Sequence, residues 1–189
     1  MKKLLLGSFL AALAMFAFGG AYWMGPISKS FVHKAKNDSV LSKALSELLD
    51  QTGTYVLPQE IEDTKVWQEQ IARGPLAVIH FQRTGGDSMP IEMLKGFLIG
   101  WVTTLLLALL LQRVVGALPT YFSRVQVIVL AGLSMSVFID LGSTVWWYHS
   151  LAWAILTGVY DFFAWAIAGL VLAKYITPTH PYSSSRRNA

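Results

Sequence analysis

The chain has 189 residues, 54% of them hydrophobic and 14% charged, with a formal net charge of +4. A soluble domain carries charge nearer about 25%, and the positive residues form no basic cluster with interleaved aromatics, which excludes a nucleic-acid partner. The absence of cysteine excludes disulfides, thiolate metal sites and thiol redox chemistry.

The first apolar run, within residues 1–25, follows Lys2-Lys3 and reaches Met24. Gly19 and Ala21 offer a small-x-small cleavage site, but the run is longer than a usual signal core. Tyr22 and Trp23 then resemble an interfacial aromatic anchor. The expected element is an uncleaved first transmembrane helix with small-residue pairs Gly7/Ala11 and Ser8/Ala12.

Residues 26–91 read as a small polar α/β insertion. From Gly25 to Glu92 the chain holds seven Lys or Arg and nine Asp or Glu. Asn37-Asp38-Ser39 starts an amphipathic helix through Leu49, closed at Thr52-Gly53. Thr54 to Leu57 is a short strand, Glu60 to Ala72 a second helix, and Leu76 to Phe81 a second strand ending at Gly85-Gly86. The strands are expected to pair, in either direction. A piece of this size is marginal alone, so it is expected to lean on the membrane surface or on a partner.

Residues 92–174 supply three further spans, about 93–113, 122–141 and 150–174. Lys95 lies near the start of the second and can snorkel. In the third, Gly132, Ser136 and Asp140 recur every four residues and give a small, polar face. Gly142-Ser143-Thr144 reads as a turn, and Trp146-Trp147-Tyr148 as an aromatic belt. Residues 175–189 read as a disordered tail. The expected fold is therefore a membrane all-α protein, four transmembrane helices with an α/β insertion between the first and second.

The last span organises the rest. Ser150 to Ala173 is 24 residues with one ionisable side chain, Asp161, and is roughly 36 Å long as a helix, enough to cross a core of about 30 Å. A charged group at the centre of a span costs about 2.5–3.5 kcal/mol on insertion scales, so Asp161 should face protein. Ala154, Thr157, Gly158, Ala164 and Ala168 lie at helical spacing from it and form one small-residue packing stripe. Ile155, Phe162, Trp153 and Val159 point elsewhere. Asp161 is then either a neutral group hydrogen-bonded to a neighbouring helix or a proton or ligand site.

With the N-terminus inside, the inner segments carry Lys2, Lys3, Arg113, Arg124, Lys174, Arg186 and Arg187 and no acid. The positive-inside rule then puts both ends in the cytoplasm and the insertion outside. In a bacterial cell this is a multi-pass inner-membrane protein with a periplasmic domain.

The motifs Gly53-Thr-Tyr-Val-Leu-Pro58, Gly74-Pro75, Trp146-Trp147, Asp161 and Gly169-Leu-Val-Leu-Ala173 give the chain a further property. Through them it resembles a group of small four-span bacterial inner-membrane proteins of uncharacterised function. The resemblance implies an architecture and no activity.

Two membrane aspartates invite an aspartyl protease reading, and Asp140-Leu-Gly-Ser143 resembles the Asp-Thr-Gly-Ser loop. A working dyad shares a proton across about 3 Å. Asp140 near the end of its helix and Asp161 about 11 residues into the next would differ in depth by more than about 10 Å. Asp140 is more simply a partner for Lys95. His33, His80, His149 and His180 show no ligand spacing for haem or metal. Gly85-Gly86-Asp87 reads as a turn rather than an anion cradle. No cofactor is expected. The expected function is a non-enzymatic accessory or assembly subunit. It would bind another membrane protein, or its own copies, through small-residue faces and the insertion. The alternative is a small proton-coupled transporter using Asp161, which would need oligomerisation because no internal repeat is visible.

Overall fold

A computed structural model describes residues 1–178. Most of the predicted tail, including His180 and Arg186-Arg187, lies outside the described residues. Its first residues belong to the fold: Tyr175 is the last helical residue and Ile176 is buried.

Four helices are long and apolar enough to cross a membrane: Lys2–Met24, Met89–Ala117, Tyr121–Trp146 and Leu151–Tyr175, with mean hydropathy between 1.8 and 2.0. The first is α1 (Lys2–Met24), followed after Gly25 by a short α2 (Pro26–Ser30). The second is α5 (Met89–Val114), extended by a 3-10 turn at Val115–Ala117. The third runs from α6 (Tyr121–Ser136) through a π-helical turn at Val137–Leu141 into α7 (Gly142–Trp146). The fourth is α8 (Leu151–Tyr175), capped by Ser150 Oγ, which accepts from the Trp153 amide at 3.2 Å.

Packing sets the lateral order α5–α1–α8–α6. α1 packs on both α5 and α8, α6 packs on α8, and α5 and α6 meet sparsely. Without a hydrophobic force between helices in lipid, close approach and interhelical hydrogen bonds decide the pairings. Ser8 and Thr104, both fully buried, join α1 to α5: Thr104 Oγ1 donates to the Ser8 carbonyl at 2.9 Å, and Trp101 Nε1 donates to Ser8 Oγ at 3.3 Å. On α1's other side Gly7 lies against Tyr175 and Gly19 against Tyr160. A Cβ at Gly7 would stand 2.7 Å from that of Tyr175. Phe18 stacks on Tyr160 at 5.6 Å between ring centroids, and Tyr22 Oη donates to the Leu156 carbonyl at 2.8 Å. The buried core, Ala11, Ala108, Leu111, Ile128, Ala168, Leu172 and Ile176, gathers towards the end of the bundle away from the insertion.

The insertion holds α3 (Asp38–Leu48), β1 (Gly53–Leu57), α4 (Thr64–Arg73) and β2 (Ala77–Phe81). Asn37 and Asp63 cap the two helices through side-chain oxygens that accept from amides of the first turn. The strands pair antiparallel, Gly53 opposite Phe81 and Leu57 opposite Ala77. Arg83 ties the hairpin to the end of α3 by donating to the carbonyls of Ser46 and Leu49 at 3.2 and 2.7 Å. From Phe31 to Pro90 no residue is buried.

Two expectations about the third span are corrected. It does not stop at Leu141, and Gly142-Ser143-Thr144 is not the turn. Ser143 Oγ donates to the Ile139 carbonyl and Thr144 Oγ1 to that of Leu141, both at 2.7 Å. These hydroxyls satisfy helix carbonyls that a turn would have released. The chain reverses instead at Trp147–Ser150, where Tyr148 takes a positive φ of 57°.

Gly132 on α6 lies directly beneath the Trp165 ring of α8, where a Cβ would collide with ring atoms. Gly132→Ala is expected to destabilise the bundle by about 1–3 kcal/mol, the usual cost of overpacking. Gly96→Ala, with nothing within 4 Å, is expected to leave stability intact. Thermal unfolding in detergent micelles compares the two.

Candidate functional site

The two carboxyl groups inside the bundle lie between α6 and α8. Gly132, Ser136 and Asp140 occupy one face of the third span, at four-residue steps that keep them in line. Gly158, Asp161 and Trp165 occupy the facing stripe of α8. The helices run antiparallel, so Gly132 meets Trp165, Ser136 meets Asp161, and Asp140 meets Gly158.

Ser136 is the hub. It is 4% exposed. Its hydroxyl donates to Asp161 Oδ2 at 2.8 Å and accepts from Trp165 Nε1 at 3.3 Å; the Gly132 carbonyl lies 3.1 Å away as a second acceptor. Asp161 is half-buried and turned to protein. Tyr160, one residue earlier, faces the opposite way into the α1 aromatic cluster of Phe18, Tyr22 and Trp23. α8 therefore presents a polar face to α6 and an aromatic face to α1.

Asp140 sits in the π-helical turn. Its Oδ2 is shielded from solvent and has no hydrogen-bond partner among the described residues. A Cβ on Gly158 would stand 3.9 Å from that oxygen. The extension of the third span to Trp146 corrects the depth expected for this residue. Asp140 is six residues from the end of its helical run and Asp161 ten from the start of α8, so they differ by roughly one turn, about 6 Å, rather than by more than 10 Å. Even so, Asp161 Oδ2 accepts from Ser136, Asp140 Oδ2 has no partner, and no hydrogen bond joins the two carboxyl groups among the described residues.

The expected Lys95–Asp140 pair does not form. Lys95 pairs with Asp87 and, at 3.3 Å, with Glu92. The reason is lateral order: α5 packs on α1, whereas Asp140 faces α8 on the far side of the bundle.

In the stripe on α8, Ala154, Ala164 and Ala168 are buried and Thr157 and Gly158 half-buried. Thr157 Oγ1 donates to carbonyls of its own helix at 3.1 Å. Gly132 and Ser136 are buried against α8. These faces are thus engaged by the chain's own helices. Ile155, Phe162 and Val159 are exposed on the bundle surface, and Trp153 packs on Trp23.

Trp165 was absent from the sequence reading, and Arg124 figured there only as one of the inner positive charges. Trp165, at i+4 from Asp161, belongs to its stripe, and only its bulk disguised it. Arg124, 6% exposed, donates to the carbonyls of Ala173, Leu118 and Pro119 at 3.1–3.3 Å. It is a cation closing the C-terminal end of α8, where the helix dipole is negative. Its signal was an arginine inside a span. Among the described residues no three His, Asp or Glu side chains converge as metal ligands. His80 Nδ1 lies 3.0 Å from Thr54 Oγ1 across the hairpin.

A double-mutant cycle of Ser136→Ala with Asp161→Ala is expected to give a coupling of about 0.6 kcal/mol, the average for interhelical hydrogen bonds in membranes, and no more than about 1.7 kcal/mol. Lys95→Ala with Asp140→Ala should show none. Unfolding in mixed micelles reads both cycles. No protein family, curated protein or solved structure matches the chain, so the chemistry of the site rests on its own geometry.

Proposed function

We propose that this is a non-enzymatic multi-pass membrane protein, an accessory or assembly subunit whose insertion docks a partner protein. The single observation that carries the reading is the insertion's lack of a core: no residue between Phe31 and Pro90 is buried. A two-stranded hairpin is marginal by itself, and these two helices leave apolar side chains uncovered. On α3 Leu48 is 78% exposed and Val40 63%, and Leu41, Val66 on α4 and Ile61 just before α4 are exposed as well. The Trp67 indole N–H is shielded yet has no acceptor among the described residues. A partner's surface would cover these groups and supply that acceptor. The small-residue faces engage within the chain, so the insertion is the surface left to act.

The short-motif resemblance to small bacterial inner-membrane proteins and the positive charges of Lys2, Lys3, Arg113 and Lys174 favour the bacterial inner membrane as the location. Both termini would be cytoplasmic and the insertion periplasmic.

The second reading, a small proton-coupled transporter using Asp161, draws on that carboxyl group's place inside the bundle beside Ser136. It requires that Asp161→Asn abolish proton uptake by proteoliposomes, followed with a lumenal pH dye. Unchanged uptake removes this reading.

For the docking reading, mild detergent extraction is expected to bring down one partner at a stoichiometric ratio. Leu48→Glu together with Val40→Glu is expected to release it while leaving the unfolding midpoint of the bundle unchanged. A solitary, monodisperse protein, or a partner held equally well by the double variant, contradicts the proposal.

A further inference from the structure

At the end of the bundle opposite the insertion, the first turn of α1, the last turn of α5 and the residues that follow α8 surround a cavity of about 800 Å³. Its polar wall is Lys2, Lys3, Gln112 and Thr177, and its floor is Leu4, Val115 and Tyr175. We propose that this cavity holds the headgroup of an anionic phospholipid, its phosphodiester paired with Lys2 and Lys3 and its acyl chains running down the outside of α1. The proposal is independent of the docking reading, because it uses no residue of the insertion.

Charge selects an anion. Residues 1–4, 112–124 and 173–178 make up this end and carry Lys2, Lys3, Arg113, Arg124 and Lys174 and no acid. The ion pairs among the described residues are made by Lys43, Arg73 and Lys95, and Arg124 is committed to backbone carbonyls. Lys2 and Lys3 are exposed on the cavity wall, accessible to an oxyanion. The positive-inside rule accounts for basic residues at one end of a bundle, but not for a cavity between three helix ends with two of those residues on its wall. Basic pockets between spans are where lipid phosphates bind. A choline headgroup would bring its own cation to the lysines. A glycerol headgroup brings none, and its hydroxyls can pair with Gln112 and Thr177.

Depth and shape select a lipid over a free phosphate. α1 and α8 have 23 and 25 residues, about 35–38 Å of helix against a hydrocarbon core of about 30 Å. Their end turns therefore stand at headgroup level. Leu5 and Leu6 follow Lys2 and Lys3 at i+3, on the same sides of α1, and are 46% and 51% exposed. Each lysine thus has an open apolar side chain one turn deeper, which suits a headgroup with chains attached and is of no use to a soluble ion. The floor is preformed: Leu4, Val115 and Tyr175 pack against the buried core, and Tyr175 lies against Gly7. Residues 179–189 follow the cavity in the chain, but they carry Arg186, Arg187 and no acid, so their charge does not match its wall.

The full chain in phosphatidylcholine nanodiscs tests this with two photoreactive probes at equal mole fraction, a phosphatidylglycerol and a phosphatidylcholine that each carry a diazirine near the glycerol, with labelled peptides mapped by mass spectrometry. The phosphatidylglycerol is expected to label the 1–4, 112–115 and 175–178 segments about thirtyfold more than the phosphatidylcholine, a factor of about five for each lysine. Lys2→Gln with Lys3→Gln should bring the two probes level. Arg113→Gln with Lys174→Gln, an equal loss of charge at the same end but off the cavity wall, should keep most of the preference. Thr177→Trp, which fills the cavity without changing its charge, should lower labelling by the phosphatidylglycerol. Equal labelling by the two lipids in the unaltered protein would overturn the proposal, and that comparison stands even if a lysine variant fails to insert. Equal losses in the two double variants would overturn it too, leaving diffuse attraction to the surface. Displacement of the lipid probe by glycerol phosphate in the buffer would make the source a soluble phosphate, and labelling that appears only once residues 179–189 are removed would make that segment the occupant; either result contradicts the lipid assignment.

Discussion

A tryptophan ring seated on a glycine, with a serine hydroxyl one turn away, is the contact on which the bundle depends. Trp165 closes over Gly132, and the same ring's N–H reaches Ser136, which in turn holds Asp161. In hydrocarbon, apolar surface gains nothing by moving from lipid to protein. What distinguishes one helix pairing from another is backbone approach and the satisfaction of polar atoms. The α6–α8 seam supplies both in three consecutive turns. It also gives Asp161 a protein partner, without which a carboxyl group inside a span is costly.

The opposite side of α8 uses different chemistry for the same end. Tyr160 and Tyr175 lie over Gly19 and Gly7 of α1, and Phe18, Tyr22, Trp23 and Trp153 complete an aromatic cluster at the insertion end. At the other end Arg124 closes α8 by donating to the Ala173 carbonyl. α8 is thereby held on two faces and at one terminus, while α5 attaches chiefly to α1 through Ser8 and Thr104. The insertion contrasts with this. It is capped, paired and tied by Arg83, yet it has no interior. Its order rests on local hydrogen bonds, and its apolar surface on α3 and α4 is left for something else to cover.

Much of this was legible in the sequence, because the relevant signals are local. Span length and composition identify four membrane helices, Asn37 announces α3, and helical spacing puts Asp161 on one stripe with Ala154, Gly158, Ala164 and Ala168. The readings that failed needed non-local knowledge. Lys95 and Asp140 looked alike in depth, but depth says nothing of lateral order, and α1 and α8 lie between them. Gly142-Ser143-Thr144 has turn composition, yet hydroxyls bonded to carbonyls one turn back keep it helical. That continuation moved Asp140 deeper and brought it within about one turn of Asp161. Trp165 was passed over because bulky residues on a span usually face lipid, and here a glycine on the next helix makes room for the ring. Strand direction in the insertion was open because a link the length of α4 and its flanks permits either.

The chain contains no cysteine, so paired cysteines can be introduced without background. The measurement that bears most directly on the bundle is disulfide formation in native membranes by the pair Ser136→Cys and Asp161→Cys, set against the pair Lys95→Cys and Asp140→Cys. The lateral order α5–α1–α8–α6 predicts rapid, near-complete oxidation of the first pair and none of the second. A first pair that stays reduced while the second oxidises would contradict it and place α5, not α8, against the polar face of α6.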